Sequence, residues 1–223
     1  MEKILNIYVL MAIGYMGYFI ISFAYKLLNI NTLSDGLTSY KAFNLLNIKH
    51  LAGIFLFGIG FWLNRNDYDF LIINSGLKNA ISNIFLFGIL LAAGLVSMQS
   101  AKKGLGKLDN LSFARSEDQL LYFSVRIPFL FVYELFFRGI LLHSSLLYTN
   151  LAIAILINLS LYTLIHSFNS KKEIIGCVPF GIILCLFSYY TNSIWPAFFI
   201  HATLSFAHEI IVFNNTKVKT QKS

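Results

Sequence analysis

Seven apolar runs, each long enough to cross or nearly cross about 30 Å of hydrocarbon, lie along this chain at 4–25, 51–63, 80–98, 120–147, 151–166, 174–190 and 194–213. So much apolar surface can be hidden only with lipid outside it. Backbone polar groups in lipid must be satisfied within the segment, which leaves helices as the spanning element. The predicted fold is therefore all-α, a polytopic membrane bundle of about seven transmembrane helices. The second run is short and is expected to start upstream, within 42–50. The fourth is long and is expected to break at Pro128. The first, at 22 residues, exceeds the apolar part of a secretory signal and is followed by no A-x-A site, so it reads as a retained span.

Composition agrees, with 57% hydrophobic and 12% charged residues against roughly 45–50% and 25% in soluble domains. That excludes an ordinary soluble domain and a disordered chain alike. Cys177 and Cys185 share one apolar run with no CxxC, so neither a disulfide framework nor a thiolate metal site is indicated.

The net charge of +7 does not point to nucleic acid, because the basic residues sit in short loops rather than along one helix face. If the seven runs alternate, 12 of the 17 Lys and Arg fall on one side, and Lys3, Arg65 and Lys78 fall on the other. Arg126 and Arg138 lie inside the fourth run. Basic loops stay cytoplasmic, so the N-terminus is expected outside and the C-terminus in the cytosol. No internal repeat supports an inverted-repeat transporter.

Ionisable groups at membrane depth are costly and mark interiors or cavities. The fourth run contains Tyr133-Glu134-Leu135-Phe136-Phe137-Arg138-Gly139. Glu134 and Arg138 are four apart on one helix face, where a structural ion pair would let both charges enter the bundle. Tyr162 and His166 share a face of the fifth run in the same way. The last run starts at Trp195-Pro196, an interfacial Trp and a first-turn Pro. His201 follows at a depth of roughly 10 Å and needs a partner. Ser205 is one turn further on. His208 is two turns from His201, too far for the two to share a metal, and reads as interfacial. His208-Glu209-Ile210-Ile211-Val212 lacks the second His of a zincin HExxH. His50 and His143 join no constellation.

Three ordered segments resemble the CPBP (Abi) family of intramembrane metalloproteases, which includes the CAAX prenyl endopeptidases and bacteriocin-processing or immunity proteins. Its motifs are a Glu-Glu-x-x-x-Arg-Gly helix, a Phe-x-x-x-His helix end and a Trp-Pro…His-x-x-x-Asn helix. The similarity runs over about 120–213. It implies that residues 119–213 form a protease-like core, preceded by three further spans in 1–118 and followed by a basic cytosolic tail, 214–223. By the resemblance, Glu134 and Arg138 take the second Glu and the Arg of the first motif. His166 takes the second-motif His, with Tyr162 for Phe, and His201 takes the third-motif His. The family's first Glu, taken to activate the attacking water, is here Tyr133, and its Asn is here Ser205.

The resemblance implies a catalytic set of Glu134, His166, His201, Ser205 and Tyr133, with His166, His201 and Glu134 able to hold Zn²⁺ or to position water directly. Tyr133 is a weak base, with an ordinary pKa near 10, and leaves the set without an evident general base. One reading is a CAAX-type endopeptidase acting on a membrane-proximal or lipidated peptide. A second is a non-cleaving relative acting as scaffold, chaperone or bacteriocin-immunity factor, and a third is a transporter. The expected partners are the bilayer and a membrane-embedded or lipidated peptide or protein, not nucleic acid. The expected location is a bacterial plasma membrane.

Overall fold

The chain is entirely helical in a computed structural model that describes residues 2–77, 80–104 and 116–220. Lys78, Lys107, Arg115 and Lys222, four of the residues in the charge count, lie outside the described residues. So does the end of the basic tail, 221–223.

The long helices are α1 (Glu2–Leu27), α3 (Tyr40–Leu63) and α6 (Ala80–Gly104), with short α2 (Leu33–Gly36), α4 (Arg65–Tyr68) and α5 (Phe70–Ile73) between them. Then come α7 (Ser116–Glu134), a π-helical segment (Leu135–Leu141), α8 (Leu142–Leu146), α9 (Leu151–His166), α10 (Lys171–Thr191) and α11 (Trp195–Thr220). Local chemistry sets many of the ends. Thr32 and Asp35 form a capping box at α2. Ser39, Asn150 and Ser170 accept backbone N–H bonds at the starts of α3, α9 and α10. Asn192 closes α10 in the left-handed region, at φ 47°.

Six of these segments are long and apolar enough to cross a membrane, among them Tyr40–Leu63 and Glu117–Leu146. Of the seven expected spans, six meet that length and the fifth, α9, falls short of it. At 16 residues, α9 is about 24 Å long at 1.5 Å per residue, short of the hydrocarbon thickness. The second run begins at Tyr40, further upstream than expected. The fourth does not break at Pro128, which sits inside α7. Its irregularity comes later, in the π segment, whose carbonyls at Phe137 and Arg138 accept from Asn158 of α9 and Ser188 of α10. Those buried side chains satisfy backbone groups that a wider helical turn presents.

Packing orders the bundle around α7 and the π segment. α3 lies against α1 on one side and α7 on the other, α6 against α11, and α9 against α10. Two glycines permit the close approaches at α3. A Cβ on Gly14 would collide with the Leu56 carbonyl oxygen, and one on Gly53 with the Phe129 ring. The core is aromatic: Phe57, Phe136, Phe137, Tyr133 and Tyr162 are buried together. Large apolar side chains such as Phe55, Trp62, Ile84, Leu120 and Ile175 point outward, as lipid-facing positions do.

The chain's connections gather at two ends. At one, Tyr8 donates to the Ser144 carbonyl, Asn74 to Thr191, and the Trp195 indole to Ile72. At the other, Leu33, Leu37, Phe43, Tyr122 and Phe213 form a second apolar cluster.

Candidate active site

A small cavity of about 110 Å³ reaches from Asn31 and Asn169, in the connections after α1 and α9, to Tyr133 and His201 inside the bundle. Its wall also includes Lys49 and His50 of α3, Arg126 of α7 and His166 at the end of α9. The structure thus brings Tyr133, His166 and His201 to one chamber. The Tyr133 ring stands edge-on to both imidazoles, with centroids 6.3 Å from His166 and 5.9 Å from His201.

Each imidazole is oriented by its Nδ1. His166 Nδ1 donates to its own helix, at the Tyr162 carbonyl, over 2.9 Å, and its ring packs on Tyr162 at 4.5 Å. A carbonyl only accepts, so Nδ1 carries the proton and Nε2 is the acceptor. His201 Nδ1 donates to Glu134 Oε1 over 2.5 Å, which leaves Nε2 of that ring as its acceptor too.

Glu134 and Ser205 are not in the wall. Glu134 is fully buried behind His201, with its second oxygen 3.4 Å from Arg138 Nε. The Arg138 guanidinium lies over the Tyr162 ring, 4.1 Å from its centroid. Ser205 Oγ donates to Glu209 Oε1 over 2.8 Å and accepts from Arg126 Nη2 over 2.8 Å. Its only O–H is therefore engaged, and it offers no donor to the cavity.

This second network runs through groups the sequence reading passed over. Glu209 Oε1 also accepts from Tyr122 and from Arg126 Nε, each at 3.0 Å. Arg126 Nη1 lies 3.3 Å from His50 Nε2. His50, assigned to no constellation above, is thus part of the chamber. Starting the second span at Ser39, a good N-cap, would have put Lys49 and His50 at membrane depth and marked them. The Glu209 signal was its spacing: His201, Ser205 and Glu209 succeed each other by four on one face. His143 lies elsewhere, beside Phe70 in a separate cavity.

The zinc set does not fit. A shared ion would need oxygens that Glu134 gives to His201 and Arg138, and no group of three His, Cys, Asp or Glu able to hold a metal occurs among the described residues. Lys49 and Arg126 in the wall would also oppose a dication. Metal dependence is general in the family that the motifs resemble.

A helical protein with apolar outer faces and a polar chamber between its helices belongs to the integral membrane proteins that gather chemistry inside the bundle. Residues 119–207 match the family model Rce1-like, type II CAAX prenyl endopeptidase, and over that segment the chain carries an Rce1-like CPBP domain. Comparison with curated proteins and with solved structures returned no match.

Proposed function

We propose that this protein is an intramembrane endopeptidase of the CAAX-protease type, cleaving a membrane-proximal or lipidated peptide with a carboxylate–imidazole dyad, Glu134–His201, as its base. The observation that carries this reading is the Glu134 oxygen on His201 Nδ1, in a ring that lines the same cavity as His166 and Tyr133. His201 Nε2 takes a proton from water as the hydroxide adds to the peptide carbonyl. Buried Glu134 stabilises the imidazolium that forms. The Tyr133 hydroxyl, which has no partner, donates to the developing oxyanion. The imidazolium then returns its proton to the leaving amine, and the free acid and amine depart.

In this reading the chain crosses a bacterial plasma membrane seven times, α9 included, with the N-terminus outside and the C-terminus cytosolic. The 12-to-3 division of basic residues and the gathering of connections at two ends support this, with short α9 accommodated by local thinning or tilt of its neighbours.

The test is cleavage of an S-farnesylated peptide by purified protein in proteoliposomes. His201→Ala and His166→Ala should each lower kcat by about 10²–10⁴-fold while the protein accumulates at wild-type levels. Product formation unchanged in both variants overturns the reading.

Tyr133 in place of a carboxylate favours a second reading, a relative that binds such peptides as scaffold, chaperone or immunity factor without cutting them. Saturable binding with no product in the wild-type protein, and product on Tyr133→Glu, would establish it.

A further inference from the structure

The chamber has two chemically different halves. One carries the Nε2 acceptors of His166 and His201. The other carries donors and positive charge from residues that no motif includes. Lys49 is 7% exposed and forms no contact ion pair among the described residues, Asp35 acting on it only at longer range; its Nζ lies 5.6 Å from the Tyr25 ring centroid. Arg126 uses one N–H on Glu209, one on Ser205 and one on His50, which leaves two of its five. An arginine can only donate, so His50 Nε2 is the acceptor of that contact and Nδ1 holds the proton. That Nδ1–H is buried without a partner, as is the Tyr133 hydroxyl. No Asp or Glu is in the wall. Glu134 and Glu209 each have a basic partner, Arg138 and Arg126, which leaves Lys49 as the cation of the wall in no contact ion pair.

Buried donors and a buried cation left unmatched are costly unless a ligand completes them. The geometry points to a site for a single carboxylate, held by Lys49 and Arg126 with His50 Nδ1–H as a further donor. Resting on the peptidase reading, this carboxylate is the free end of the bound peptide. The N-terminal helices, which lie outside the Rce1-like segment, thereby supply the specificity of the chamber. The one cation in no contact ion pair suits a monoanionic chain end better than a doubly charged phosphate.

The experiment uses the full chain in nanodiscs of zwitterionic lipid, with N-acetylleucine, N-acetylleucinamide and inorganic phosphate as probes. Dissociation constants are read from the ligand dependence of the melting temperature. The free acid should bind at least about tenfold more tightly than the amide, the scale of one charge-assisted hydrogen bond, and more tightly than phosphate. Lys49→Met should bring acid and amide within about twofold while amide affinity is kept. Equal binding of acid and amide by the wild-type protein, or tighter binding of phosphate, overturns the inference even if Lys49→Met does not fold. Acid preference in a protein that cleaves nothing upholds the inference and defeats the peptidase reading, so the two failures are distinct.

Discussion

Glu134 is buried between a cation and an imidazole, and its two oxygens serve different ends: one orients His201, the other neutralises Arg138. Removing one member of a buried pair leaves the other charged and unpaired, at a cost of about 3–5 kcal/mol, whereas replacing both with apolar groups can be nearly neutral. Arg138→Met alone should therefore lower the melting temperature sharply, and Glu134→Leu with Arg138→Met should recover most of the loss while remaining inactive. A double variant no more stable than the single would show that the pair is not the source. Tyr133 should behave oppositely. Its hydroxyl is buried without a partner, so Tyr133→Phe removes an unsatisfied group and should leave stability unchanged or raised by up to about 1–3 kcal/mol. The same change should lower kcat by about 10²–10³-fold if the hydroxyl meets the oxyanion. Stability and turnover moving together would contradict that role. Glu134, Arg138 and His201 were legible as polar groups at a depth where lipid tolerates few, and Tyr133, His166 and Ser205 through the motif spacing. His50 and Glu209 were not, since their partners lie 76 and 83 residues away at Arg126.

At the scale of elements, the contact of α3 with α7 both builds the core and forms the cavity. Lys49 and His50 lie within one turn of Gly53 on α3, and Arg126 lies within one turn of Phe129 on α7. Because the Phe129 ring occupies the place of a Gly53 side chain, Gly53→Val must push the helices apart. Overpacking of this kind costs about 1–3 kcal/mol. The expected result is a lower melting temperature with a loss of peptide binding; stability falling with binding intact would separate this seam from the site. The start of α9 after Asn150 was legible, whereas α3 and α10 begin further upstream than their apolar runs, at the polar turns that Ser39 and Ser170 cap. The break in the fourth run was misplaced for a physical reason. Pro128 removes one backbone donor and the helix accommodates it, whereas the π segment depends on Asn158 and Ser188. Those residues come from helices that no local pattern connects to it.

For the molecule as a whole, the proposed topology decides which side the chamber faces. Asn31 and Asn169, at its rim, belong to connections that the charge division assigns to the cytosol, while 74–77 and 192–194 gather at the opposite end through Asn74, Thr191 and Ser193. A peptide would then reach the imidazoles from the cytosolic side. Cysteine labelling tests this directly, in a background where buried Cys177 and Cys185 are replaced by Ala. Ser75 and Ser167 are both exposed and sit in connections at opposite ends. Ser75→Cys should react with a membrane-impermeant maleimide in intact cells, and Ser167→Cys only after permeabilisation. If both react from outside, the Leu151–His166 helix does not complete a crossing and the odd number of passes is wrong. If the two are exchanged, the chamber faces outward and its substrate must be sought on that side.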